Sequence, residues 1–153
     1  MKVIGIDPGT ATVGFSVVEG TKQNPVILEY GILQTSSKDK MEKRLLEIGN
    51  DLEFLLQKYQ PKTAVVEDLF FFKNAKTVIS VAQARGVILY ILTKYNVEII
   101  SLTPLQIKLG TCGYGKADKK QMQTMVQKIF KLDQLPKPDD AADSLAMSWL
   151  GLK

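Results

Sequence analysis

The sequence predicts an α/β fold, a mixed five-stranded sheet with helices packed on both faces. Three observations predict it. Val- and Ile-rich runs at Lys2–Asp7, Thr12–Val18 and Pro25–Leu33 follow one another with turn residues between them, the pattern of an antiparallel meander. A long amphipathic segment then leads into a short apolar run that ends in two acids, the pattern of a strand buried on both faces. Beyond it, helical segments and one further strand alternate, which adds the parallel part of the sheet.

Taken in order, Lys40–Tyr59 carries Leu45, Ile48, Leu52, Leu55 and Leu56 at helical spacing with charges opposite, and Pro61 helps to close this helix. Thr63–Glu67 is the buried strand, ending in two acids. Helix is expected at Lys76–Tyr95, strand at Val97–Leu102, and helices at Pro104–Leu109, Lys119–Phe130 and Asp140–Leu150, the last introduced by Pro136-Lys137-Pro138. Gly110–Lys120, with Gly110, Gly113 and Gly115 among polar residues, reads as a mobile loop.

Composition narrows the chemistry. A chain of 153 residues, 45% apolar and 24% charged, is expected to form a single domain, 1–153, with a core of its own. No apolar stretch approaches the ~20 residues that cross a bilayer, and the N-terminus enters a strand directly, so a cytoplasmic protein away from the membrane is expected. Cys112 is the single cysteine, which excludes an intrachain disulfide and thiolate zinc sites. There is no histidine. Ser-His-Asp and Cys-His triads and His-ligated zinc are therefore excluded, and acid–base or metal chemistry must fall on carboxylates and lysines.

The net charge of +4 is unevenly spread along the chain. Residues 1–68 carry 8 basic and 10 acidic side chains, net −2; residues 69–138 carry 11 and 3, net +8; residues 139–153 carry 1 and 3, net −2. A basic middle flanked by acidic segments suits a polyanion held beside a carboxylate cluster, although a solvated lysine-rich surface has the same composition.

Four acids stand out. Asp7 ends the first strand within Gly5-Ile6-Asp7-Pro8-Gly9-Thr10, where it could bind a ligand or cap the turn. Glu67 ends the next buried strand; beside the first in parallel, it would meet Asp7, and two facing buried carboxylates require a cation or a raised pKa, whereas a strand end open to water would require neither. Asp140 and Asp143, three residues apart at a helix start, share one face. Helix capping could account for one or both of these, but not for the whole set in a chain without histidine. Such oxygen-only donors suit magnesium or manganese, and two ions about 4 Å apart support phosphodiester hydrolysis.

Lys108, Lys116, Lys119 and Lys120 are candidates for phosphate contacts, each also readable as a solvated surface lysine. Phe70-Phe71-Phe72-Lys73-Asn74 follows Glu67 closely; an aromatic run there could stack on unpaired bases or belong to a core or interface, and at least one ring of each kind is expected.

With these residues in view, the chain resembles the RuvC family of Holliday junction resolvases over nearly its whole length. The resemblance rests on Gly5-Ile6-Asp7-Pro8-Gly9, Glu67 with Phe70 and Lys73-Asn74, Gln83-Ala84-Arg85-Gly86, Pro104-Leu105-Gln106-Ile107-Lys108, and Asp140-Ala141-Ala142-Asp143-Ser144-Leu145-Ala146. It implies a ribonuclease H-like fold and a magnesium-dependent endodeoxyribonuclease, with two ions per site and manganese as a substitute. A homodimer that cuts a four-way DNA junction by paired symmetric nicks, in recombination and repair beside a RuvA-RuvB branch-migration complex, is also implied.

The resemblance further implies Asp7, Glu67, Asp140 and Asp143 as catalytic metal ligands, Lys108 and Lys119 as basic helpers and Phe70 as the stacking ring, with the helix around Gln83–Gly86 in the dimer interface. Asp139 precedes Asp140, so either could be the ligand, and the Asp-Ala-Ala-Asp match favours Asp140. Two other readings compete: a ribonuclease H-like relative that binds or trims nucleic acid, and a nucleotide-binding fragment of the actin kind, which would need a second half to close around its ligand.

Overall fold

The computed structural model describes residues 1–68 and 75–153. Its elements are β1 (Lys2–Asp7), β2 (Thr12–Gly20), β3 (Pro25–Gln34), α1 (Met41–Tyr59), β4 (Thr63–Glu67), α2 (Ala75–Lys94), β5 (Glu98–Leu102), α3 (Pro104–Cys112), α4 (Lys119–Ile129) and α5 (Asp139–Leu150). The strands form one sheet in the order β3-β2-β1-β4-β5. The β1–β2 and β2–β3 pairs are antiparallel, whereas β1–β4 and β4–β5 are parallel. The expected mixed five-stranded sheet is thus observed.

Strand alternation sorts the side chains between two cores. Ile4, Ile6, Val13, Phe15, Val17, Ala64 and Val66 pack against α1 and α2 through Ile48, Leu52, Leu56, Ala84, Ile88 and Leu92. Val3, Val18 and Val65 point the other way, to Ile107 of α3, Met122 and Val126 of α4, and Leu145 and Met147 of α5. Helices therefore cover both faces. Among the described residues, no helix is long and apolar enough to cross a membrane.

Most boundaries agree with the sequence expectation to within one or two residues, and α3 is the exception. It runs on to Cys112, so Gly110 is helical, and Lys119 and Lys120 already belong to α4. The expected loop Gly110–Lys120 shrinks to residues 113–118. The reason is packing: Thr111 is buried, Cys112 Sγ lies 3.4 Å from Met122 Sδ, and the helix ends only at Gly113, whose φ of 70° suits glycine. Reciprocal capping boxes, Thr103 with Gln106 and Asp118 with Gln121, start α3 and α4.

Candidate metal centre and nucleic-acid face

Parity along the strands decides where the acids point. Val3 and Val65 face α5, so two and four residues further on Gly5, Asp7 and Glu67 face it as well. In β2 the same face holds Thr12, Gly14, Ser16 and Val18. Because β1 and β4 are parallel neighbours in register through Ile6 and Val66, Asp7 and Glu67 leave the sheet side by side at its carboxyl edge.

Helix α5 brings the second pair of acids, and it lies unusually close to the sheet. A Cβ on Gly5 would come within 2.2 Å of the Ser144 carbonyl oxygen, and one on Gly14 within 2.1 Å of the Asp140 carbonyl oxygen. Glycine at these two strand positions, together with buried Ala141 and Ala142 on the helix, allows the contact. Ser16 strengthens it: its Oγ lies 2.7 Å from the Ser144 carbonyl and 2.7 Å from Ser148 Oγ.

The result is a trio of carboxylates, Asp7, Asp140 and Asp143, each offering an oxygen within 4.8 Å of the others. Glu67 joins through a side-chain hydrogen bond with Asp7. Two carboxyl groups can share such a bond only if one is protonated, and Asp7 is held above the ordinary 3.8, at about 9. Burial is the largest cause, followed by the charge of Glu67, the hydrogen bond with it, and the charges of Asp143 and Asp140. Asp143 rises to about 6, again chiefly through burial and then through Glu67 and Asp140, against the opposing pull of Lys119.

Crowded acids that retain protons in this way fit a hard divalent cation, which would replace the protons and satisfy the same oxygens. Asp139 differs from its neighbour. It is exposed, accepts a hydrogen bond from Gln123 Nε2 at 2.6 Å and lies 3.7 Å from Lys119 Nζ, while Asp140 turns inward and accepts one from Thr12 Oγ1 at 2.8 Å.

Two of the expected lysines reach the acids. Lys108 and Lys119 line a cleft of about 280 Å³ with Glu67, Asp143 and Asp118. Lys116 is exposed in the link between α3 and α4, and Lys120 lines a separate cleft with Cys112, Tyr114 and Lys128, away from the acids. Phe70 and Lys73, with the rest of the aromatic run, lie outside the described residues.

Sequence reasoning missed two positioning groups. Thr12 could have been found from its parity with Gly14 and Ser16 on the α5 face of β2. In the sequence Arg85 stands out only within Gln83-Ala84-Arg85-Gly86, the segment expected at a dimer interface, yet it turns inward. Its Nε donates to the Glu67 carbonyl at 3.2 Å, one terminal nitrogen donates to Ser101 Oγ at 3.0 Å, and it lies 3.3 Å from Asp68. Arg85 thus ties down the strand end that carries Glu67. Around it, α2 has two characters: Ala84 and Ile88 are buried in the chain's own core, whereas Ile79, Ala82, Gln83, Gly86 and Tyr90 are exposed.

A five-stranded mixed sheet with an acidic cluster at its carboxyl edge defines a ribonuclease H-like protein. The family model described as crossover junction endodeoxyribonuclease RuvC matches residues 3–150, and the chain belongs to that family. It is 53% identical over 147 residues to the crossover junction endodeoxyribonuclease RuvC of Fusobacterium nucleatum subsp. nucleatum, a match covering 96% of this chain and 77% of that one. The corresponding protein of Syntrophomonas wolfei subsp. wolfei is 47% identical over 148 residues, covering 97% and 86%. Among solved structures, T. thermophilus RuvC in complex with a Holliday junction substrate superposes with a TM-score of 0.92 at 28% identity, covering 98% of this chain and 92% of that one.

Proposed function

We propose that residues 1–153 act as one nuclease domain that resolves four-way DNA junctions by metal-assisted phosphodiester hydrolysis, making paired symmetric nicks in strands of like polarity. Membership of the RuvC family supports the substrate. The observation that carries the chemistry is the half-buried trio Asp7, Asp140 and Asp143, in which burial, then Glu67 and the two other acids, lift Asp7 to about 9.

In this reading Asp7, Glu67, Asp140 and Asp143 hold two magnesium ions, with manganese able to replace them. When bound, such ions supply an activated water and stabilise charge on the transferring phosphoryl group and the leaving oxygen. The rest is the work of the chain itself. Asp7 must give up the proton it shares with Glu67 before the four acids act as ligands, so metal loading improves as pH rises. Thr12 holds one oxygen of Asp140 and leaves the other for the site. Lys108 and Lys119, on the open side beside Glu67 and Asp143, draw in the scissile phosphate and offset its growing charge.

Phe70 stacks at the opened centre of the junction, and Lys73, Lys116 and Lys120 contact the arms. Two copies pair through the exposed side of α2, where Ile79 and Tyr90 are uncovered and Gly86 has open space above it. Such a pair puts two sites on one junction. A RuvA-RuvB branch-migration complex is the partner that supplies the junction, and the DNA substrate implies a cytoplasmic enzyme.

The test incubates a labelled synthetic four-way junction and a matched linear duplex with the protein, in magnesium or EDTA, with Asp7→Asn as control. Paired nicks on the junction alone, dependent on magnesium and absent in the variant, are expected. Binding without cutting would move the chain to a junction-binding relative, and the absence of both would refute a nuclease altogether.

A further inference from the structure

Three clefts border the acid cluster, and lysines line two of them: Lys119 and Lys137 stand beside Asp139 and Asp140 in one. Asp143 and Glu67 border the cleft that holds Lys108 and Lys119. Asp7 and Asp140 border the third cleft, of about 410 Å³, whose far wall is Arg44 of α1 with Thr77 and Ser80 of α2, and whose floor is the turn from Pro8 to Thr12.

Arg44 is half-buried in the first turn of α1, and its orientation is set by a short hydrogen-bond relay. Its Nε donates to Thr35 Oγ1 at 2.9 Å, and Thr35 Oγ1 donates to the Thr10 carbonyl at 2.5 Å, in the turn that follows Asp7. It forms no ion pair among the described residues. A half-buried guanidinium normally has an anionic partner, because desolvating an uncompensated charge is costly. Arg44 lines the cleft, and among the described residues only its Nε has a hydrogen-bond partner, which leaves the guanidinium fork available to a phosphate group in bidentate fashion. In the cleft floor, Thr10 Oγ1 is buried and likewise has no hydrogen-bond partner.

A polynucleotide strand cut at the acid cluster carries backbone phosphates on both sides of the scissile one. Lysines line one side, and among the described residues Arg44 is the cation that lines the cleft on the other. We propose that this cleft is a second phosphate site, in which Arg44 grips a non-scissile backbone phosphate of the substrate strand on the side of the acids opposite Lys108 and Lys119. Thr35 and Thr10 act in it as positioning residues for the guanidinium. The site rests on the nuclease reading above and extends it with a defined strand path across the acids.

The experiment measures equilibrium binding of a labelled four-way junction, in EDTA so that nothing is cut, across a salt series. It compares the wild type with Arg44→Gln, Arg44→Lys and Ser80→Glu, with thermal melting of each. Arg44→Gln should weaken binding about tenfold and lower the slope of log affinity against log salt by about one, the signature of a lost phosphate contact. Ser80→Glu, which puts a negative charge on the cleft wall without touching the relay, should weaken binding similarly while melting as the wild type does. Arg44→Lys should keep the slope.

If Arg44→Gln and Ser80→Glu bind with wild-type affinity and slope while the wild type binds and, in magnesium, cuts the junction, the second site is refuted and the nuclease reading stands. If only Arg44→Gln loses affinity, together with a lower melting temperature, Arg44 is a structural residue and the site is again refuted. A wild type that binds no junction overturns the nuclease reading and this site with it.

Discussion

Gly14 of β2 lies directly beneath Asp140 of α5: a Cβ at position 14 would stand 2.1 Å from the Asp140 carbonyl oxygen and 2.6 Å from its carbon. Both atoms belong to the helix backbone, which cannot swing aside as a side chain can. Gly14→Ala is therefore expected to lift the start of α5, costing about 1–3 kcal/mol of stability and a few degrees in melting temperature. Because the same turn carries Asp140 and Asp143, cleavage should fall further than stability does. Melting curves with a parallel cleavage assay check this, and an alanine variant with wild-type melting and cutting would show that the helix has room to move.

The acid cluster makes the metal-free chain sensitive to pH in an unusual direction. Asp7 titrates near 9 and Asp143 near 6 in the fold, both above the ordinary 3.8 that holds in the unfolded chain. Between those values the folded state binds more protons at these two acids than the unfolded one, so their contribution to stability is fullest below pH 4 and is lost as pH rises towards 9. For Asp7 at pH 7 the penalty amounts to at most about 4 kcal/mol. Asp7→Asn should thus melt higher than the wild type in EDTA at pH 8 and no higher at pH 4. Added magnesium should raise the wild type and close the gap. A difference between the two proteins that does not change with pH would disprove the electrostatic crowding.

Thr12 holds Asp140 through a single hydrogen bond of 2.8 Å. Partners of this kind orient a metal ligand, and their loss typically costs about 10–100-fold in metal affinity. Thr12→Val, close in shape but without the hydroxyl, should require about tenfold more magnesium for half-maximal thermal stabilisation and for half-maximal cleavage, and Thr12→Ser should restore both. Equal magnesium requirements in all three proteins would leave Thr12 without this role.

Lys119 pulls the pKa of Asp143 down against three acids that push it up. Lys119→Met removes that pull, so Asp143 should hold its proton to a pH above 6 and the acidic limb of the cleavage profile should move upward. Junction binding should also lose about one unit of salt slope, if the lysine meets a phosphate. A pH profile superimposable on that of the wild type would separate Lys119 from the acids.

Local patterns carry much of this protein. The short continuous apolar runs within Lys2–Asp7 and Thr63–Glu67, and the leucines of α1 at helical spacing, were sufficient for the sheet and its covering helices, because hydrophobic patterning is a property of consecutive residues. The end of α3 was misplaced for the complementary reason. Gly110, Gly113 and Gly115 look alike in sequence, but Gly110 packs against Leu150 of α5 and only Gly113 adopts the left-handed conformation that stops the helix.

The sequence by itself determined which residues could act: four acids, no histidine and a basic middle segment leave few chemistries open. How closely they meet, and through which partners, was decided by tertiary structure. Asp139 and Asp140 are adjacent and chemically identical, yet the close seating of α5 on Gly5 and Gly14 turns Asp140 towards Thr12 and Asp7, and leaves Asp139 outside with Lys119 and Gln123. Thr12 lies 128 positions from Asp140, and Arg44 reaches the turn after Asp7 only through Thr35. Burial, charge crowding and hydrogen bonds between distant segments exist only once the chain has closed on itself, so the raised pKa of Asp7 has no counterpart in any stretch of sequence.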